Sequence, residues 1–246
     1  MTLQNPTPEI LRSLGKMLRG LSALFWGLPL VLISSVQSQA LTGPRELALL
    51  IPCLTNGLLV FGLSQLAYFQ PQERIWREAI DRAKVIGLVN MGLSPFLYFW
   101  ARLPFVPLYS IAVDLLYLSS LIFLYNFNLV IYRLSTMLPD ESLRSDAQLF
   151  TQLNRTILGF VALMTLAYLV MIHSGSIPVS LVGLVEVLES RRSWIAIFLV
   201  LTPVALTMTL TWKVKELVID GVFNSEFWLQ PIAEEDAPKS AHRLNH

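Results

Sequence analysis

Charge is scarce in this chain: only 14% of its residues are Asp, Glu, Lys or Arg, while 54% are hydrophobic. A soluble domain averages about 25% charged residues, and the mean hydropathy here is +0.58, so a water-facing globule of this composition is excluded. Net charge is +1, which removes the electrostatic argument for nucleic acid. Cys53 is the single cysteine. It excludes an intrachain disulfide and a cysteine-based metal site, and within an apolar run it reads as a small packing residue. The three histidines, His173, His242 and His246, have no ligand spacing, and His173 closes an apolar run at the level expected for lipid headgroups. There is no Ser-His-Asp set, no glycine-rich phosphate loop, no H-E-x-x-H and no central intramembrane lysine. The residues mark no catalytic group, metal ligand or cofactor, and the reading is a non-enzyme.

What the chain does have is six hydrophobic stretches, at about 21–36, 47–69, 85–101, 105–132, 156–172 and 193–212. Each approaches the ~17–25 residues an α-helix needs to cross the ~30 Å hydrocarbon core. The expected fold is all-α: a polytopic bundle with six transmembrane helices in one domain over 1–220, followed by a tail at 221–246. The fourth stretch is long enough that it must tilt or protrude. The first follows Arg12, Lys16 and Arg19 and precedes Ser38-Gln39-Ala40, so it combines signal-peptide features with the length of an anchor. A retained signal anchor is expected.

Lysine and arginine fall on alternate sides of these stretches. Arg12, Lys16 and Arg19 precede the first; Arg74, Arg77, Arg82 and Lys84 lie between the second and third. Arg133, Arg144 and Arg155 lie between the fourth and fifth, and Lys213, Lys215, Lys239 and Arg243 follow the sixth. Only Arg45, Arg102, Arg191 and Arg192 are left for the other side. The positive-inside rule then puts both termini in the cytoplasm, and an odd number of spans would spoil the alternation. The expected setting is a bacterial inner membrane, with anionic lipid at the cytoplasmic face as the partner of the basic clusters.

Short amphipathic segments precede the odd-numbered spans. One starts at Thr7-Pro8-Glu9, an N-cap with Pro at the first helical position, and places Ile10, Leu11, Leu14, Met17 and Leu18 on one face. A second, about 73–84, carries Ile75, Trp76, Ala79, Ile80 and Ala83, and a third begins near Asp140 with Leu143, Ala147, Phe150 and Leu153. Such segments are expected to lie in the cytoplasmic interface. Gly20, Gly87 and Gly159 open the spans that follow, so three parallel units of interfacial helix, span and span are a possible internal repeat.

The sharpest polar candidate is Asp114, the one acidic residue well inside a span. A carboxylate in hydrocarbon costs a few kcal/mol on insertion scales, so it must face protein or water, or pair with a cation. Ser110, Asp114, Tyr117, Leu121, Tyr125 and Asn128 follow one another at helical spacing and form a single stripe, polar except for Leu121. Three readings stand: hydrogen-bonding glue between helices, a proton or substrate path, or contact with lipid or a partner. Asn56, Gln65 and Asn90 read as further glue, and Pro29, Pro52, Pro95 and Pro203 as possible kinks. Pro178 to Leu188 reads as an outer interfacial or re-entrant helix, and Phe223, Phe227 and Trp228 as an aromatic patch of the tail that packs back on the interface or docks a partner.

The leading expectation is a non-catalytic membrane subunit, a scaffold or accessory protein that assembles with other membrane subunits or with itself. The charged connection Gln72-Glu73-Arg74-Ile75-Trp76-Arg77-Glu78, six spans starting inside, an N-terminal amphipathic helix and a short outer helix before the sixth span are together similar to the plan of ABC-2-type export permeases. The long connection between the fourth and fifth spans departs from that plan. The resemblance implies a transporter or permease subunit with a dimeric partner or an ATPase, and a role in transport for Asp114.

Overall fold

The computed structural model describes residues 8–40, 45–69, 72–138, 141–174 and 200–220. They form α1 (Pro8–Ala40), α2 (Arg45–Leu66), α3 (Arg74–Leu93), α4 (Phe96–Arg102), α5 (Pro107–Met137) and α6 (Glu141–Ser174), then a helical stretch, α7, over 200–220. No strand occurs among the described residues. Four helices, α1, α2, α5 and α6, contain segments long and apolar enough to cross a membrane. The third expected span is divided between α3 and α4, and the described part of the sixth lies in α7. Pro178 to Leu188 and the tail residues Phe223, Phe227 and Trp228 lie outside the described residues.

The division of the third span has a local cause. Pro95 has no N–H to give to the Met91 carbonyl one turn back. The Ser94 hydroxyl donates to that carbonyl instead, at 2.9 Å, and the chain turns before α4 restarts at Phe96. Pro29 and Pro52 sit inside helices that continue past them, as Pro203 does inside α7.

The amphipathic segments do not form separate interfacial helices. α1 runs on through Gly20, α3 through Lys84 and α6 through Arg155. Their apolar stripes decide this, because the stripes cover protein rather than lipid. Leu14 and Met17 are buried in the same core as Leu21, Leu24 and Leu28, one stripe at alternating three- and four-residue steps. In α3 the stripe of Trp76, Ala79, Ile80 and Ala83 continues to Gly87 and Asn90. In α6 the buried residues are Ala147, Asn154, Leu158 and Val161, while Leu153 is exposed. The inward face is thus rotated from the one expected through Phe150 and Leu153. At 1.5 Å per residue, the 33 residues of α1 extend about 50 Å, well beyond a ~30 Å hydrocarbon core.

The overhanging ends meet at one end of the bundle. Lys16 of α1 lies 3.8 Å over the Tyr68 ring just after α2. Trp76 of α3 is fully buried and donates its indole N–H to the Phe69 carbonyl at 2.9 Å. Arg133 near the end of α5 donates to the Ile75 carbonyl, Arg144 to the Thr136 carbonyl at 3.0 Å, and Lys213 pairs with Asp146 at 2.6 Å. Other contacts lie deeper in the bundle. Gly20 abuts Gly62, and Gly87 abuts Val60 and Phe123, while Arg155 reaches the Tyr125 ring at 5.7 Å. Arg19, Lys84 and Arg155 are the last charged residues before the uncharged zone on α1, α3 and α6. From there the chain has no Lys, Arg, Asp or Glu through 20–44, 85–101 and 156–185. The outward faces of this uncharged zone carry large apolar side chains such as Trp26, Ile33, Leu54, Phe61, Leu88 and Leu163. Apolar surface of that extent is where a soluble protein would aggregate and a membrane protein meets lipid.

α1 and α2 cross more closely than ordinary side chains allow. A Cβ on Gly20 would stand 2.8 Å from the Gly62 carbonyl oxygen and 3.2 Å from the Leu66 nitrogen, and one on Gly62 would stand 2.7 Å from Leu24 Cγ. Lower down, the Ser34 and Thr55 hydroxyls meet at 2.9 Å. Small residues and interhelical hydrogen bonds are what associates helices where lipid removes the hydrophobic drive. The glycine expected to mark the third repeat behaves differently: Gly159 is exposed and has open space around it. Gly20→Ala should destabilise the protein by about 1–3 kcal/mol, because backbone cannot step aside. Gly159→Ala should be neutral, or stabilising by up to about 1 kcal/mol from helix propensity. Thermal unfolding of the two variants in the same mild detergent checks this. Equal effects would show that α1 and α2 do not cross at Gly20.

Candidate functional site

The polar stripe of α5 is split by its surroundings. Ser110 and Asp114 are half-buried, Tyr117 and Tyr125 are exposed, and Asn128 is buried. Only the inner end of the stripe thus enters the core, because the elements beside α5 change along its length: α4 packs against its first half, and α7 against Asn128.

At that inner end three helices share one hydroxyl. Asn128 of α5 and Asn154 of α6 each donate an amide N–H to Thr207 Oγ1 of α7, both at 2.9 Å. Thr207 passes its own proton to the Pro203 carbonyl at 2.6 Å, and Asn154 also reaches that carbonyl at 3.2 Å. Asn128 keeps a second tie to its own helix through the Leu124 carbonyl at 2.8 Å. One turn on, Thr211 donates to the Thr207 carbonyl at 2.7 Å. All four side chains are buried, where an unpaired polar group costs several kcal/mol and a paired one is a strong positional constraint.

Beside this junction a cleft of about 270 Å³ opens between α5 and α6. Tyr125, Asn128, Leu129 and Tyr132 line it from α5; Gln148, Thr151, Gln152, Arg155 and Leu158 line it from α6. Arg155 is the only one of these that carries a full charge, and it forms no salt bridge among the described residues. Thr151 Oγ1 is buried and has no hydrogen-bond partner among the described residues. The cleft ends at Tyr125, about 16 Å along α5 from Asp114, so the cleft and Asp114 are separate features.

The other amides serve their own helices or stay in the core. Asn56 is buried and donates back to the Pro52 carbonyl at 2.8 Å, and Asn90 is buried on α3. Among the described residues no group of three His, Cys, Asp or Glu side chains is placed to hold a metal ion. Sequence reasoning singled out Asn128 but missed Thr207 and Asn154. A faint signal exists for the first, since Pro203, Thr207 and Thr211 repeat at four-residue steps in an apolar run. Asn154 lies among Gln148, Thr151, Gln152 and Arg155 and reads as part of a polar surface.

Thr207→Val keeps the shape but removes the acceptor of both amides, and should cost roughly 1–3 kcal/mol. Thr209→Val, on the exposed side of the same helix, should stay within about 0.5 kcal/mol. Chemical or thermal unfolding in detergent reads the difference, and two equal effects would remove the junction from the account.

No protein-family model matches this chain, and no curated protein or solved structure matches it either.

Proposed function

We infer that the protein is a non-catalytic integral membrane subunit, a scaffold or accessory component of a larger membrane assembly. The observation that carries this reading is the use made of its buried polar side chains. Asn128, Asn154 and Thr207 are spent on holding α5, α6 and α7 together, and Ser34 and Thr55 on holding α1 to α2. The polar chemistry of the interior builds a bundle, and the outward faces in the uncharged zone are broad and apolar. Such faces suit lipid and the helices of neighbouring subunits.

The finer topology follows the same physics. Six crossings, with 85–102 as a broken third and 193–212 as the sixth, place both termini at the end where Lys16, Arg133, Arg144 and Lys213 gather. That end is the cytoplasmic one by the positive-inside rule, in a bacterial inner membrane. A permease would instead need a water-filled route to Asp114, and the cleft between α5 and α6 stops well short of it. The threefold repeat loses support from the unlike settings of Gly20 and Gly159.

Mild-detergent extraction followed by mass determination of the intact particle tests the reading. Stoichiometric foreign membrane chains are expected. A particle made of this chain alone, or of this chain with a nucleotide-hydrolysing subunit, would overturn the accessory role, and the second result would restore the transport reading.

A further inference from the structure

We propose that the cleft between α5 and α6 is a binding site for the phosphate headgroup of an anionic lipid in the leaflet on the basic side of the bundle. The proposal rests on the reading of the chain as membrane-crossing, but not on the subunit role.

Position comes first. Arg155, like Arg19 on α1 and Lys84 on α3, is the last charged residue of its helix before the uncharged zone. That boundary is the depth of lipid phosphates if the uncharged zone is the hydrocarbon core. The cleft straddles this boundary. Tyr132 and Gln148 line it on the basic side, and Leu158 lies one turn into the uncharged zone.

Chemistry agrees with position. Arg155 brings a planar guanidinium suited to bidentate phosphate binding, and its distance to the Tyr125 ring, 5.7 Å, is within cation–π range. Gln148 and Gln152 add neutral donors around it. No carboxylate lines the cleft, so nothing there receives the cation of a zwitterionic headgroup. This selects an anionic lipid over a zwitterionic one. The volume, about 270 Å³, equals that of roughly nine liquid waters, which is room for a phosphodiester with part of its glycerol.

The test uses delipidated full-length protein in mild detergent, with phosphatidylglycerol, phosphatidylcholine or inorganic phosphate added and the thermal midpoint followed against concentration. Phosphatidylglycerol is expected to raise the midpoint by several degrees, and the other two to leave it in place. Arg155→Gln should weaken the apparent affinity for phosphatidylglycerol by about tenfold or more, while Arg82→Gln, on the exposed face of α3, should not change it. Thr151→Val, which removes a hydroxyl closed off from the cleft, should leave the lipid effect in place. Without lipid it should not lower stability, since it removes an unpaired buried hydroxyl. An equal response to phosphatidylcholine, a full response in Arg155→Gln, or an equal response to inorganic phosphate would each overturn the lipid site, the last pointing to a soluble anion. Failure of the membrane reading shows separately, as release of the chain from membranes by an alkaline wash without detergent.

Discussion

The hydroxyl of Thr207 fixes the arrangement on which the second half of the molecule depends. It accepts from Asn128 and from Asn154, and so ties α5 and α6 to α7 at one point. The junction sits at the edge of the uncharged zone, with Asn154 next to Arg155, and where lipid covers helices apolar burial does little to choose between packings. What discriminates one packing from another is a polar group that must find its partner. A threonine that serves two amides and donates to a backbone carbonyl leaves little choice of register. The cleft follows from that register, because α5 and α6 are held at Asn128 and Asn154 while Tyr132 and Gln148, nearer the basic end, stand on its opposite walls.

The first half solves the same problem by close approach. Gly20 and Gly62 let the α1 and α2 backbones touch, so dispersion does for that pair what hydrogen bonding does for α5, α6 and α7. The two halves meet through α3, whose Gly87 packs between Val60 of α2 and Phe123 of α5. Beyond the uncharged zone the helices keep going, and there the association is that of a soluble protein: a continuous apolar core with Trp76 at its centre and ion pairs such as Lys213–Asp146 at its rim. One set of helices thus packs under two regimes along its length, with Arg19, Lys84 and Arg155 near the boundary.

Much of this was legible in the sequence, and the misses are instructive. Scarce charge and long apolar runs predicted an all-helical bundle with membrane-spanning helices, and four described helices fit. The amphipathic segments were found, but periodicity reports only that a stripe exists, not whether protein or headgroups cover it. Leu14 and Met17 face the core, so their segment is the start of a long helix. The break at Ser94–Pro95 was one of four prolines that looked alike in the sequence. It differs in outcome: the helix is interrupted there and α4 restarts at Phe96, whereas Pro29 and Pro52 sit inside helices that continue past them. The polar stripe of α5 is split by its surroundings, half-buried at Ser110 and Asp114, exposed at Tyr117 and Tyr125 and buried at Asn128. Its roles were not readable, since they depend on which neighbour stands opposite each turn. Asn154 was invisible because polar residues around it on α6 mimic a solvated face, and the cleft was invisible because it is a property of two helices.

Asn128 and Asn154 share one acceptor, and a double-mutant cycle of Asn128→Ala and Asn154→Ala, read as unfolding free energy in detergent, measures that sharing directly. The two losses should fail to add, by at least about 0.5 kcal/mol, as residues of one hydrogen-bond network do. Strict additivity would mean that the two asparagines act independently and that Thr207 does not join the three helices.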